Sequence, residues 1–121
     1  MNKLLGKKIL IVDDEELLRE ILSEFFTLEG AVTCQAKSGD HGFELLKKQK
    51  FDIVISDVRM PQGDGISLLE RVKTQLHYQP IVYLYSGNSD PLKQERAESL
   101  GVAGFFIKPF SIRELIDILT S

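Results

Sequence analysis

The sequence has little of the chemistry that stabilises secreted proteins or anchors proteins in membranes. It contains one cysteine, Cys34, in 121 residues, which excludes an internal disulfide and a paired-cysteine metal site. No apolar run approaches the roughly 20 residues of a membrane span, and residues 1–8 lack the apolar stretch of a signal peptide. We therefore expect a reducing, cytoplasmic setting and no interaction with a membrane.

An excess of positive charge is also lacking. Lys and Arg number 15 against 18 Asp and Glu, which gives a net charge of −3. Because nucleic-acid-binding surfaces carry a basic excess, we expect no direct binding of nucleic acid. At roughly 150 residues per domain, the length predicts one domain over residues 1–121, either a whole protein or part of a longer chain.

Short apolar runs alternate along the chain with stretches of helical periodicity. Strands that are buried on both faces are predicted from such runs, here at 9–12, 31–36, 53–55, 81–85 and 105–107. Apolar residues that recur every three or four positions indicate one face of a helix. Such sets include Leu17, Leu18, Ile21, Leu22, Phe25 and Phe26 in the first helix, and Leu115, Ile118 and Leu119 in the last.

The ends of several helices have recognisable signals. Gly30 and Gly101 are predicted to follow the first and fourth helices. Asp90 before Pro91 predicts the start of the fourth helix, and Ser111 has capping-box spacing to Glu114 at the start of the fifth. The second helix is expected over residues 38–50, and the third begins near residue 66, after a loop over residues 61–65.

Five strands in alternation with five helices predict an α/β fold. Strands connected through helices pair in parallel, with right-handed crossovers. The predicted architecture is a doubly wound (βα)5 three-layer sandwich, with helices on both faces of a five-stranded parallel sheet. Ligands of such sheets bind beyond the carboxyl ends of the strands.

Polar side chains follow four of the predicted strands at those ends. Asp13 and Asp14 follow the first strand, Asp57 the third, Ser86 the fourth and Lys108 the fifth. Two unit charges about 4 Å apart repel by about 4 kcal/mol at an effective dielectric constant of 20, so clustered carboxylates favour a divalent cation. Oxygen ligands without a nearby Cys or His indicate Mg²⁺.

A carboxylate at such a site can also act as a nucleophile and form an aspartyl-phosphate. Asp57 has suitable neighbours, because a metal and a cation must stabilise the charge on the phosphoryl oxygens. Asp13 and Asp14 would hold Mg²⁺, partly through water, and the backbone carbonyl of Arg59 would supply another oxygen. Lys108 would pair with Asp57 and later with the phosphoryl group.

The same residues carry a resemblance to a known family. They lie in the segments 9–15, 52–65, 86–87 and 104–110, the last with the sequence Lys-Pro-Phe. Over essentially its whole length the chain resembles the receiver domains of two-component response regulators, which include chemotaxis regulators. The resemblance implies a flavodoxin-like sheet of order 2-1-3-4-5 and a cis bond between Lys108 and Pro109.

The resemblance also implies a function in phosphorelay signalling. A sensor histidine kinase or histidine phosphotransfer protein would transfer a phosphoryl group to Asp57, with Asp13 and Asp14 as the acidic metal pair. Ser86 would move towards the phosphoryl group, and Phe105 would fill the space that it leaves.

That movement would change the face formed by the fourth helix, fifth strand and fifth helix. A downstream effector or effector domain would bind there, and a homodimer through the same face is left open. The domain would be a regulatory phosphoacceptor rather than an enzyme, catalysing only its own phosphorylation and dephosphorylation.

Two positions are expected to tune the phosphoryl lifetime. Arg59 follows Asp57 by two residues and Asn88 follows Ser86 by two, and both positions flank the path of the attacking water in the family. Arg59 is within reach of the phosphoryl group or of Glu15, so the sequence leaves the lifetime open.

Other functions fit the sequence less well. A receiver-fold docking module without phosphotransfer would not need the full set of acids and Lys108. A Mg²⁺-dependent aspartyl-phosphate phosphatase of the haloacid dehalogenase type would have a second Asp where Arg59 stands. A flavodoxin-like carrier of FMN would not place four consecutive acids, at residues 13–16, beside the FMN phosphate.

The remaining conspicuous side chains receive structural interpretations. His41 and His77 lack neighbours that would define a site, so we expect both on the surface. Tyr83 and Tyr85 are expected to pack around the fourth strand, and Cys34 is expected in the core.

Overall fold

Five strands alternate with five helices in the computed structural model, which describes residues 2–120. The strands are β1 (Lys8–Val12), β2 (Val32–Ala36), β3 (Ile53–Asp57), β4 (Ile81–Ser86) and β5 (Gly104–Ile107). The helices are α1 (Glu16–Leu28), α2 (Gly39–Lys48), α3 (Gly65–Gln75), α4 (Pro91–Ser99) and α5 (Ile112–Leu119). The elements match the predicted order, with boundaries shifted by one or two residues.

All neighbouring strands pair in parallel, in the order β2-β1-β3-β4-β5. This confirms the doubly wound architecture and the strand order that the resemblance implied. The register sets Val12 opposite Ser56 and Asp57 opposite Tyr85. The carboxyl ends of β1, β3 and β4 therefore lie side by side at one edge of the sheet.

Two apolar layers enclose the sheet, because successive residues of each strand point to opposite faces. On one face, Leu10, Val12 and Val54 pack with Phe43, Leu46, Leu68, Leu69, Val72 and Ala97 of α2, α3 and α4. On the other face, Ile9, Ile11, Ile55, Tyr83 and Tyr85 pack with Leu22, Phe26, Leu115, Ile116 and Leu119 of α1 and α5. Each fully buried aliphatic side chain contributes roughly 1.5–3 kcal/mol to the free energy of unfolding.

The predicted helix ends are confirmed by backbone geometry. Gly30 and Gly101 have φ values of +95° and +85°, which suit glycine after a helix. The Asp90 side chain accepts a hydrogen bond from the Lys93 amide at 3.2 Å, and Ser111 accepts one from the amide of Glu114 at 3.3 Å. These contacts fix the starts of α4 and α5.

The predicted apolar face of α1 is too wide. Leu22 and Phe26 are buried, whereas Leu17 is 70% and Phe25 is 44% exposed. Adjacent helical residues point about 100° apart, so only the line through Leu22 and Phe26 faces the sheet. In α5, likewise, Ile116 is buried in place of the predicted Ile118.

Within residues 2–120, no helix is long and apolar enough to cross a membrane. His41 and His77 are exposed, as expected. Cys34 is partly buried against the layer that contains α2 and α3.

Candidate functional site

Three carboxylates meet at the carboxyl edge of the sheet, as the sequence predicts. One oxygen from each of Asp13, Asp14 and Asp57 lies within 4.8 Å of the others. Asp13 and Asp14 follow β1 directly, and Asp57 is the last residue of β3. The parallel pairing of these two strands brings the carboxylates together, and we call Asp13, Asp14 and Asp57 the acidic cluster.

Asp57 lies at the carboxyl end of β3, the middle strand of the sheet, and is only 7% exposed. Burial, followed by the nearby Asp13 carboxylate, raises the pKa of Asp57 to about 6, although Lys108 acts in the opposite direction. The Arg59 amide donates a long hydrogen bond of 3.4 Å to Oδ1 of Asp57. The Asp57 carboxylate is therefore held in a position where its negative charge is costly.

The chain turns back tightly after Asp57. The Gly65 amide donates to the carbonyl of Val58 at 2.9 Å. A Cβ atom at Gly65 would lie 2.4 Å from the backbone oxygen of Asp57, so the start of α3 can approach the end of β3 only because residue 65 is glycine.

Asp13 is fully buried, and both of its carboxylate oxygens accept hydrogen bonds. The Glu15 amide donates to Oδ1 at 2.8 Å, and the Tyr85 hydroxyl donates to Oδ2 at 2.5 Å. Burial raises the pKa of Asp13, and the two hydrogen bonds lower it in part. The Arg19 guanidinium donates to the Asp13 carbonyl at 2.7 Å and fixes the turn into α1. Asp14, by contrast, is exposed.

Lys108 follows β5 and precedes a cis peptide bond to Pro109, as the resemblance implied. Its ammonium nitrogen lies 3.9 Å from Oε1 of Glu15 and 5.2 Å from the centroid of the Tyr85 ring. The expected pair with Asp57 is replaced by this arrangement. Glu15 is largely exposed, so the Lys108 ammonium stays hydrated beside it. Pairing with the buried Asp57 carboxylate would require the ammonium to lose more of its hydration.

Ser86 is the last residue of β4, and Asn88 follows it by two residues. The Ser86 side chain is buried, and its hydroxyl accepts a hydrogen bond of 3.3 Å from the Asn88 amide. Phe105 is partly buried and packs against the core layer of α2, α3 and α4. The expected switch aromatic thus contributes to the core in this conformation.

Arg59 contacts Asp90 and not Glu15, which was one of its two expected partners beside the phosphoryl group. Its guanidinium lies 3.6 Å from Oδ2 of Asp90, at the start of α4, rather than beside Glu15. Glu15 instead lies near Lys108. Sequence inspection identified Asp90 as a helix cap but missed this second contact.

Tyr85 makes a contact with the acidic cluster that sequence reasoning missed. Its ring packs in the core beside Phe110, at a centroid distance of 5.4 Å, as a structural interpretation requires. Its hydroxyl, however, binds Asp13. Burial and the Asp13 carboxylate raise the pKa of Tyr85, so the phenol stays protonated and acts as the donor. A tyrosine one residue before a strand end was the available signal, since a buried hydroxyl needs a partner.

Known proteins share this fold and this sequence pattern. The family described as response regulator receiver domain matches residues 9–120. Sporulation initiation phosphotransferase F of Bacillus subtilis is 35% identical over 115 residues, which cover 94% of this chain and 91% of that protein. Transcriptional regulatory protein PdtaR of Mycobacterium tuberculosis is 37% identical over 93% of this chain, which spans 55% of PdtaR.

The solved structures agree with the sequence comparison. The chemotaxis response regulator CheY4 of Vibrio cholerae superposes with a TM-score of 0.85, at 28% identity, over 93% of this chain and 95% of that one. A family match over nearly the whole chain coincides with the parallel sheet and the acidic cluster at its edge. The chain therefore belongs to the receiver domains of two-component response regulators, which act in phosphorelay signalling.

Proposed function

We propose that this receiver domain accepts a phosphoryl group on Asp57, with a Mg²⁺ ion bound at the acidic cluster. The observation that carries the proposal is the meeting of three carboxylates within 4.8 Å at the edge where ligands of doubly wound sheets bind. The donor is the phosphohistidine of a partner kinase or phosphotransfer protein.

The residues present fit Mg²⁺ by the chemistry of their donors. Asp13, Asp14 and Asp57 offer carboxylate oxygens, the ligands that Mg²⁺ prefers. We assign the backbone carbonyl of Arg59 as a further oxygen ligand. Burial raises the pKa of Asp57 to about 6, with the neighbouring Asp13 carboxylate as the second cause, and a divalent cation would offset both the lost hydration and the repulsion. When bound, Mg²⁺ supplies positive charge that balances both the carboxylates and the phosphoryl oxygens.

The remaining polar groups support transfer to Asp57. A carboxylate oxygen of Asp57 attacks the phosphorus, a P–O bond forms, and the P–N bond to the donor histidine breaks. Lys108 stabilises charge on a phosphoryl oxygen, because its ammonium is already near enough to lower the pKa of Asp57. The Ser86 hydroxyl, buried beside the same edge, donates to another phosphoryl oxygen.

Phosphorylation alters a surface through Ser86 and Phe105. The register sets Phe105 opposite Leu84 and Ile107 opposite Ser86, so a movement of Ser86 acts directly on β5. The exposed face of α4, β5 and α5 then changes its preference for an effector, an effector domain or a second copy. Arg59 and Asn88 flank the phosphoryl group and set its lifetime. The domain is a regulatory phosphoacceptor rather than an enzyme that acts on other substrates.

Intact mass spectrometry tests this assignment. The protein is incubated with Mg²⁺ and acetyl phosphate, beside Asp57→Asn and a sample with EDTA. We expect one phosphoryl adduct on the unsubstituted protein and none in either control. An adduct that persists in Asp57→Asn would contradict the assignment of the acceptor. Mg²⁺ binding without any adduct, together with no response to beryllofluoride, would instead indicate a docking module.

A further inference from the structure

Tyr85 contacts both a negatively charged and a positively charged residue of the proposed site. Its hydroxyl donates to Oδ2 of Asp13 at 2.5 Å, and the Lys108 ammonium lies 5.2 Å from the centroid of its ring. The residue is completely buried. One side chain therefore bridges a proposed metal ligand and the proposed phosphoryl-binding lysine.

The surroundings of Tyr85 hold its hydroxyl in place. Tyr85 pairs with Asp57 of β3 and Phe106 of β5 in the centre of the sheet. Its carbonyl accepts the Val58 amide at 2.9 Å, and its ring packs against Phe110. A ring that is packed on all sides within a close-packed core has few alternative rotamers.

Asp13 is oriented from two directions by hydrogen bonds. The Glu15 amide binds Oδ1, and the Tyr85 hydroxyl binds Oδ2. Each carboxylate oxygen has two lone pairs, so both oxygens keep one for a cation. Carboxylates that ligate metals are commonly held by such hydrogen bonds, and loss of the supporting group weakens metal binding by roughly 10–100-fold.

We infer that Tyr85 is a positioning residue of the metal site, whose hydroxyl orients the Asp13 carboxylate for Mg²⁺. The inference rests on the proposed function only in that it takes the acidic cluster to bind Mg²⁺. It adds a residue to the site that the chemistry of carboxylates alone does not identify.

The chain offers a closely matched pair of variants. Tyr85→Phe removes the hydroxyl and keeps the ring that faces Lys108. Tyr83→Phe is the control, because Tyr83 lies two residues earlier on the same face of β4 and is also buried. Its ring stacks on Phe106, and within residues 2–120 its hydroxyl makes no hydrogen bond to the acidic cluster.

Calorimetric titration with Mg²⁺ tests the inference directly. We expect Tyr85→Phe to bind Mg²⁺ roughly 10-fold more weakly, and Tyr83→Phe to bind like the unsubstituted protein. With acetyl phosphate, the Mg²⁺ concentration that gives half the maximal phosphorylation rate should rise by the same factor in Tyr85→Phe. The rate at saturating Mg²⁺ should not change. Equal Mg²⁺ affinity in Tyr85→Phe and the unsubstituted protein would overturn the inference.

A spectroscopic measurement on the unsubstituted protein and on Tyr83→Phe tests the inference even if Tyr85→Phe does not fold. The chain has three tyrosines and no tryptophan, so its near-ultraviolet absorbance reports mainly on tyrosine. We expect Mg²⁺ to produce a tyrosine difference spectrum in the unsubstituted protein and in Tyr83→Phe, because the charge beside the Tyr85 hydroxyl changes. Binding of Mg²⁺ without such a spectrum in either protein would also overturn the inference.

The outcomes separate this inference from the proposed function. Mg²⁺ binding without a phosphoryl adduct would reject phosphorylation of Asp57, while the affinity ratio would still decide the role of Tyr85. A normal adduct with equal affinities would reject the role of Tyr85 alone. Failure of the unsubstituted protein to bind Mg²⁺ would reject both.

Discussion

The amino and carboxyl edges of the sheet differ in how their polar and charged groups are paired. At the amino ends of the strands, polar groups satisfy one another: the Lys8 amide donates to Asp52 at 2.8 Å, and the Ile81 amide donates to the Asp52 carbonyl at 3.0 Å. The Tyr78 hydroxyl accepts from the Phe51 amide and lies within hydrogen-bond distance of two carbonyls at the end of α2.

At the carboxyl ends, three carboxylates converge, and the ammonium of Lys108, which lies 3.9 Å from Glu15, offsets their charge only in part. These contacts at the amino edge stabilise the fold, because they give its amides and its tyrosine hydroxyl hydrogen-bond partners. The carboxyl edge carries negative charge that the fold itself leaves unbalanced. Carboxylates with raised pKa values beside other charged groups are typical of functional sites. Substitutions at the two edges should therefore have different consequences.

The largest effect is expected from adding a Cβ atom at Gly65, which packs closely against the backbone of Asp57. Gly65→Ala would set a Cβ atom 2.4 Å from the Asp57 carbonyl, which neither backbone can accommodate without movement. We expect a loss of about 3 kcal/mol in the free energy of unfolding, measured with urea, and impaired phosphorylation. Gly87→Ala is the control at the same edge, since a Cβ there meets nothing within 4 Å. Equal stability of the two variants would contradict the packing argument.

Removing one charge from the acidic cluster should stabilise the fold. In Asp57→Asn the repulsion with Asp13 and the burial of a second carboxylate charge disappear. Without divalent cations at pH 7, we expect a gain of about 3 kcal/mol, because the pKa of Asp57 is raised from 3.8 to about 6 and a change of one corresponds to about 1.4 kcal/mol. Asp52→Asn, at the amino edge, removes the charge of an acid that is hydrogen-bonded to Lys8, and it should give no such gain in the same unfolding experiment.

Substitution of Tyr78, the tyrosine at the amino edge, should sharpen the contrast between the two edges. Tyr78→Phe removes the partner of the Phe51 amide and of a carbonyl at the end of α2. We expect a cost of about 1–2 kcal/mol in stability, with unchanged affinity for Mg²⁺. If Tyr78→Phe weakened Mg²⁺ binding as much as Tyr85→Phe, it would be wrong to assign stability to the amino edge and cation binding to the carboxyl edge.

The smallest effect on stability is expected from the pair of Arg59, which is exposed, and Asp90, which is partly buried. Asp90→Asn keeps a good N-cap for α4 but removes the ion pair, so stability should change by less than about 1 kcal/mol. Arg59 is then free to approach the phosphoryl group and stabilise charge during hydrolysis. We expect a shorter lifetime of the adduct by mass spectrometry. The lifetime should be insensitive to Asp90→Asn when Arg59→Ala is also present, and an equal effect in both backgrounds would disprove this route.

The sequence predicts those parts of the molecule that depend on chain order and periodicity. Apolar runs such as 9–12 and 53–55 indicate buried parallel strands, and parallel pairing then brings Asp13 and Asp57 to one edge. The strand order came from the family resemblance, because periodicity is the same for any order. Leu17 and Ile118 were expected in the core because a helical pattern does not show how wide the packed face is.

The contacts within the site were harder to predict. The bond from Tyr85 to Asp13 joins residues 72 positions apart, and it depends on the length of a tyrosine side chain that crosses from β4 to the end of β1. The contacts of Arg59 with Asp90 and of Lys108 with Glu15 depend on where the loops after the strands place these side chains. Such placement is a property of the assembled edge and leaves no pattern in a single sequence.

The dependence of stability on pH and Mg²⁺ tests the central claim most directly. The pKa of Asp57 in the folded protein is raised from 3.8 to about 6, so the folded state binds a proton more tightly than the unfolded chain. Relative to Asp57→Asn, the unsubstituted protein should therefore lose stability as the pH rises from about 4 to about 6, and no further above that range.

Urea unfolding of both proteins should be measured across this range, with EDTA and with saturating Mg²⁺. We predict that the deficit of the unsubstituted protein appears in EDTA and disappears in Mg²⁺, because a cation that binds only the folded state stabilises it. Parallel pH profiles of the two proteins in EDTA, together with no effect of Mg²⁺ on either, would contradict an unbalanced acidic edge that serves as a cation site.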